Sequence, residues 1–302
     1  MKISVIIINY KTPELTIECI RSINKFEKAV EYEIIVVDNC SKDGSLDLLN
    51  KEFPNIKIVE SPKNLGFAGG NNLGVKHSAG EYLLFLNSDT YLTKPFFKDI
   101  LGFYQQSQRP GVIGPRILNQ DKTIQPSIFK FPTIFRAFCE SFFLCSIFPR
   151  SSVFGDFRKF KYKSIKKVDF VSGACFLIAR DLFNESNGFD DQYFMYAEET
   201  DLMFRLHNKG HINYFWPYGD IIHLGGASSE TQGKFNPVFF ESKIKYYNKH
   251  YGINGLRLFL ILKIIGYFIR NLINALLFKF NKISFNNKIT ATYIKSLFYD
   301  RK

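Results

Sequence analysis

The feature that most constrains this chain is a stretch near its N-terminus, residues 3–8, that is almost wholly apolar and β-branched. A strand buried on both faces of a parallel sheet reads this way. Thr12-Pro13-Glu14 follows, with a capping side chain and a proline suited to the first helical position, and Ile17, Ile20, Ile23 and Phe26 roughly keep the helical period. The alternation continues. Strands are predicted over 33–37, 56–59 and 81–86, with helices over 44–51 and 71–78. The pattern predicts an open α/β sheet, in which ligands sit beyond the carboxyl ends of the strands. Those ends are Asn9-Tyr10, Asp38-Asn39, the loop 64–72 and Asn87-Ser88-Asp89.

Beyond the fourth strand the pattern weakens. Residues 125–167 are aromatic and basic and suggest no element, whereas 168–179 reads as a strand, 198–208 as a helix, and 211–216 and 220–224 as short strands. A chain of 302 residues that is 46% hydrophobic can bury a real core, which excludes disorder as its main state. The net charge of +12 is uneven: residues 241–302 hold twelve Lys and Arg against two acids, leaving only +2 on the first 240. An anionic partner therefore belongs to the tail, and no nucleic-acid partner is expected. Five cysteines, odd in number and without C-x-x-C spacing, point to a reduced, cytoplasmic setting. The first apolar stretch is too short for a secretory signal and is followed by charge, so no export is expected.

Several constellations could carry chemistry, and each also has a plainer reading. Asp38, at a strand end before a Gly-containing turn, could accept hydrogen bonds from a nucleobase or ribose, or simply cap the next helix. The loop with Asn64, Gly66, Gly70, Asn71 and Asn72 follows the third strand and lacks the G-x-G-x-x-G order, which argues against a NAD-type site. Its glycines could let backbone approach a sugar nucleotide, or form an ordinary turn. Asn87-Ser88-Asp89 places two oxygen-bearing side chains two apart at a strand end, enough to bind one hard divalent cation, though many turns share N-x-D. Glu198, Glu199 and Asp201 open a helix; the dipole accounts for one acid, but three in four positions exceed what capping needs, so one could be a general base. His223, before Gly225, Gly226 and Ser228, is either a core histidine or a partner of Asp89 at a metal.

Taken in order, VDN-x-S-x-DGS, N-x-GFAGGNN-x-G, NSDT, GAC, E-[ED]-x-DL-x-x-R and H-x-x-G-x-S resemble glycosyltransferase family 2, especially its rhamnosyltransferase-like members, over residues 1–229. The resemblance implies a GT-A fold with a mostly parallel central sheet flanked by helices, a nucleotide-diphosphate sugar donor, Mg2+ or Mn2+, and inversion at the anomeric carbon. Carried over, Asn9, Tyr10, Asp38, Asn64, Gly66, Gly70, Asn71, Asn87, Ser88 and Asp89 would bind the donor. Gly173, Ala174 and Cys175 would lie on the acceptor side, and Asp89, His223 and Asn87 would hold the metal. Asn87 stands where the family usually has the first Asp of D-x-D. Glu199 stands where the family more often has the Asp of a Glu-Asp pair, the catalytic base, so Glu198 and Asp201 remain alternatives.

These implications give an inverting transfer of a sugar, from a dTDP- or UDP-linked donor, to a hydroxyl of a surface polysaccharide or lipid-linked glycan. Rhamnose is the favoured sugar; galactofuranose and N-acetylhexosamine stay open. The rivals are a catalytically inactive sugar-nucleotide-binding relative and a nucleotidyltransferase. Residues 1–235 are expected to form the catalytic domain, divided at 120 into donor and acceptor halves, with 236–302 a helical, basic appendage. In that appendage, Lys263, Arg270 and Asn274 lie along one helical stripe, with Phe259, Leu262, Ile269, Ile273 and Leu276 around the rest. Its uncharged runs are too short to span a bilayer, so the expectation is an amphipathic helix on the anionic inner face of the plasma membrane, peripherally bound. A hairpin packed on the catalytic domain or a homodimer interface is the alternative.

Overall fold

The computed structural model describes residues 2–151, 153–157, 160–225 and 236–298. The predicted loop residues Gly226 and Ser228 lie outside the described residues. The chain divides into two compact units, one of Met1–Phe129 with Lys161–Glu230 and one of Lys130–Phe160 with Thr231–Lys302. Residues 130–160, placed in the catalytic domain by the sequence, thus group with the C-terminal helices.

The first unit begins with β1 (Lys2–Asn9), α1 (Pro13–Phe26), β2 (Glu31–Asp38), α2 (Ser45–Glu52), β3 (Lys57–Glu60), α3 (Gly66–Lys76), β4 (Tyr82–Asn87) and β5 (Thr90–Leu92). It continues with α4 (Phe97–Gln106), β6 (Pro110–Leu118) and β7 (Ile128–Phe129). The chain then contributes α5 (Ile134–Ser141) and α6 (Leu144–Ile147) to the second unit. It returns with β8 (Lys166–Val168), β9 (Phe170–Val171), β10 (Cys175–Ala179), α7 (Arg180–Glu185), α8 (Glu198–Asn208) and β11 (Ile212–His223).

The main sheet runs β3-β2-β1-β4-β10-β6-β11-β5, with β8 paired to β11. It is mixed rather than mostly parallel. β1 to β4 pair in parallel, as do β6 and β11, but β10 runs antiparallel to both β4 and β6, and β5 and β8 run antiparallel to β11. The segment predicted as one strand over 168–179 is broken at 172–174, and the two strands predicted after 211 are one bulged strand, shifted in register between Trp216 and Asp220.

Alternate side chains of the central strands feed opposite faces. On one face Ile3, Val5, Ile7, Val36, Leu84 and Leu177 pack with Ile17, Ile20 and Ile23 of α1 and Phe97 and Ile100 of α4. On the other, Phe85 meets Phe176, Phe183 and Phe189 at 5.0–5.3 Å between ring centroids. α3 starts at Gly66, five residues before its predicted start, and takes Gly69, Gly70 and Gly74 into the helix. It lies so close on the sheet that a Cβ at Gly74 would sit 2.6 Å from Ile6 Cγ2. Gly66 itself has φ +70°, and a Cβ there would fall 1.9 Å from the Phe194 carbonyl oxygen, so no other residue fits without moving backbone.

In the second unit α9 (Pro237–Leu276) is broken at Gly252, where φ is 65°, and turns at Leu277–Lys279 into α10 (Phe280–Leu297). α5 lies on α9. The buried Lys263 pairs with Glu140 of α5, and Arg270 donates to the Glu140 carbonyl. The expected solvent-facing stripe through Lys263 and Arg270 is therefore the inner face of the helix, and the apolar residues opposite them are exposed. No helix among the described residues is long and apolar enough to cross a membrane.

Candidate active site

The carboxyl ends of β1, β2 and β4 open onto a cleft of about 360 Å³, lined by Tyr10, Asn39, Asn64, Gly66, Phe67, Asn87, Ser88, Asp89, Ser172, Gly173, Ala174, Tyr196, Glu198, Glu199 and His223 among others. Most of the predicted site residues thus share one cavity. The register explains part of this. β5 pairs with the end of β11 so that Thr90 opposes His223, and Leu224 N–H donates to the Asp89 carbonyl at 3.0 Å. His223 Nε2 then lies 3.2 Å from Asp89 Oδ1 and 3.4 Å from Asn87 Nδ2. Asn87 N–H donates to the Ala174 carbonyl, tying the 172–174 segment to the end of β4.

Among the described residues no three His, Cys, Asp or Glu side chains converge on one point. The candidate metal set is therefore Asp89, His223 and the amide oxygen of Asn87, which is buried without a protein partner. One carboxylate, one imidazole nitrogen and one amide oxygen suit Mg2+ or Mn2+, with the remaining positions left for substrate oxygens.

At the other end of the lining, α8 starts after two residues with φ of 69°, Tyr196 and Ala197. Glu198 is buried and Glu199 half-buried, and one oxygen of each has no protein partner. Burial raises the pKa of both, and the charge of Glu199 raises Glu198 further. Backbone N–H groups of Glu199 and Thr200 temper the rise at Glu199. Glu198 thus holds its proton more firmly than an ordinary carboxyl does.

Other predicted residues lie behind the cleft. Asn9 Nδ2 donates to Asp38 Oδ1 (2.8 Å) and Ser41 Oγ (3.2 Å), and Ser41 N–H donates to Asp38 Oδ2 (3.0 Å). Both are buried, and they shape the turn that carries Asn39. Asn71 donates to the Phe67 carbonyl at 2.9 Å, and Gly70 packs under Ile8. Cys175 sits in the core cluster, with its thiol pKa pushed up by burial. Asp201, fully buried, pairs with Arg205 at 2.8 Å, and Arg205 also donates to the Ser186 and Gly188 carbonyls. This carboxylate organises the 186–188 turn and does not line the cleft.

Sequence reasoning missed Asn39 and Gln125 as site residues. Asn39 donates to Asn64 Oδ1 and the Gly66 carbonyl at 3.0 Å each and accepts from Leu65 N–H at 2.9 Å, so it fixes the loop entering α3. Its place directly after Asp38 was the available signal. Gln125 contacts His223 Nδ1 from 98 positions away, and no local pattern announces it.

The sequence profile described as Glycosyl transferase family 2 matches residues 4–186, more than half of the chain. The chain belongs to glycosyl transferase family 2. Over 202 residues it is 27% identical to the N-acetylglucosaminyl-diphospho-decaprenol L-rhamnosyltransferase of Mycobacterium tuberculosis, a match covering 63% of this chain and 66% of that protein. The chain thus spans just under two thirds of that relative. Among solved structures it is similar to GalNAc-T7 with UDP, GalNAc and Mn2+ (TM-score 0.58, 15% identity, 83% of this chain and 49% of that one). It is also similar to S. aureus TarS 1-349 in complex with UDP (TM-score 0.52, 17% identity, 91% of this chain and 72% of that one). These likenesses show the fold, which is GT-A.

Proposed function

We propose that this glycosyltransferase moves a sugar, with inversion, from a nucleotide-diphosphate donor to a hydroxyl of a lipid-linked glycan at the cytoplasmic face of a membrane. The observation that carries the reading is that Asn87 Oδ1, Glu198 Oε2 and Glu199 Oε2, all buried without protein partners, line the same cleft as Asp89 and His223. Buried polar atoms left unsatisfied by the protein are costly unless a ligand meets them.

Tyr10, Asn39, Asn64 and Gly66 would take the nucleoside, with Asn9 and Asp38 bracing the turn behind them. Asp89, His223 and Asn87 would hold a divalent metal, which would supply charge neutralisation to the departing diphosphate. Glu199 would accept the acceptor hydroxyl's proton as that oxygen attacks the anomeric carbon from the face opposite the leaving group. The C–O bond to the acceptor forms as the bond to the diphosphate oxygen breaks, so one displacement inverts the centre and needs no enzyme nucleophile. Glu198, protonated beside it, would donate a hydrogen bond. A dTDP-rhamnose donor is favoured by the similarity to the mycobacterial rhamnosyltransferase.

The test is incubation of the full chain with dTDP-rhamnose, UDP-galactofuranose and UDP-N-acetylglucosamine, each with Mn2+ and a detergent-dispersed prenyl-diphosphate glycan. Release of nucleoside diphosphate with an extended glycan is expected for one donor. Tight donor binding without turnover would establish the inactive relative instead.

A further inference from the structure

The second unit carries an apolar surface that its own packing leaves uncovered. On α9, Leu258, Ile261, Ile265, Phe268, Leu272 and Leu276 are all exposed, Phe268 by 62% and Leu276 by 79%. At 100° per residue they fall within an arc of about 80°, opposite Lys263 and Arg270. The stripe runs into the turn, where Leu277, Phe278 (81% exposed) and Phe280 (63%) project together and Phe278 holds a left-handed φ of 54°. Apolar side chains gathered in this way mark an interaction surface.

The charge pattern selects the partner. Residues 242–299 contain ten Lys and Arg and no Asp or Glu. Arg257, Lys279, Lys282, Lys288 and Lys295 are exposed on the two helices and their turn. A second copy docking by this face would set cation against cation with no acid to answer, whereas an anionic bilayer offers both hydrocarbon and negative charge. Beside the turn, Arg270, Asn274, Asn281, Lys282 and Asn286 line a cavity of about 570 Å³ rimmed by Phe143 and Phe285. A cationic and amide lining beside aromatic rings suits a lipid phosphate with its acyl chain alongside.

We propose that the α9 stripe and the α9–α10 turn seat in the interface of an anionic phospholipid bilayer, with Leu277, Phe278 and Phe280 inserted and Lys279 and Lys282 at the head groups. The inference deepens the membrane-surface part of the functional reading and rests on it for location only, since it uses no catalytic assignment. The test is sedimentation of the full chain with phosphatidylglycerol-containing and pure phosphatidylcholine vesicles, at low and high salt. Wild type should pellet with the anionic vesicles and lose binding at high salt. The Phe278→Ser/Phe280→Ser double variant should bind at least about tenfold more weakly, and Lys279→Glu/Lys282→Glu about tenfold more weakly on anionic vesicles alone. All of these side chains are exposed, so turnover on the detergent-dispersed acceptor should persist in both variants, which separates failure here from failure of the functional reading. Wild type that pellets with neither vesicle, or variants that pellet like wild type, would overturn the proposal. So would a concentration-dependent dimer abolished by Phe278→Ser/Phe280→Ser, which would give the face to a second copy.

Discussion

His223 Nδ1 lies 2.7 Å from Gln125 Oε1. The amide nitrogen of Gln125 faces two acceptors, Asn119 Oδ1 at 3.0 Å and the His223 carbonyl at 3.3 Å, so its oxygen must face the ring. Nδ1 then donates to Gln125, and Nε2 faces Asp89 Oδ1 and Asn87, where its lone pair would serve a bound metal. A ligand histidine needs this tautomer, and groups that fix it typically matter about 10- to 100-fold in metal affinity. Gln125→Leu should raise the Mn2+ concentration needed for nucleoside-diphosphate binding by about that factor, with little change in melting temperature. Calorimetric titration at several Mn2+ concentrations checks it; an unmoved half-saturation point would remove Gln125 from the site.

Asp89→Asn removes the sole carboxylate of the candidate metal set, since Asn87 is already neutral. Transfer should fall by at least about a hundredfold, with the Mn2+ requirement weakened rather than merely the fold. A variant that melts earlier yet keeps the wild-type Mn2+ dependence would make Asp89 a turn residue.

Glu199 and Asp201 should separate cleanly. Glu199→Gln should lower turnover about 10²- to 10⁴-fold while donor affinity holds, as expected for a base acting on the acceptor. Asp201→Asn strips the buried partner from Arg205 and should cost about 3 kcal/mol of stability, with turnover near wild type in the fraction that stays folded. Single-turnover kinetics beside urea denaturation reads both. Full turnover in Glu199→Gln would move the base to Glu198.

The strand ends were legible because an apolar run that stops at Asn9, Asp38 or Asn87 can do little else in a parallel sheet. The position of the cleft followed from them, and the ordered motifs led to the family. Three things were not legible. α3 begins at Gly66 because the helix must lie close on Ile6 and Ile8, a tertiary demand that overrides glycine's low helix propensity. The inward Lys263 could not be foreseen, since its partner Glu140 belongs to the aromatic stretch that showed no period. Asp38 and Asp201 looked alike as polar residues near the site, and only their partners show that each braces a turn.

Glu198 gives the last prediction, which concerns pH and stability. Burial and the neighbouring Glu199 hold its carboxyl well above the ordinary 4.5. Between that ordinary value and the raised one, the folded chain keeps a proton that the unfolded chain has released. Stability therefore falls as pH rises through this window, because the unfolded state binds fewer protons. Below the window both states are protonated and no penalty exists. Glutamine has nearly the same shape and no proton to lose, so Glu198→Gln should match wild type at about pH 4 and melt a few degrees higher from about pH 6 to pH 8. Melting curves across this range decide the matter. A difference between Glu198→Gln and wild type that stays constant with pH would mean that the Glu198 carboxyl titrates alike in the folded and unfolded chains.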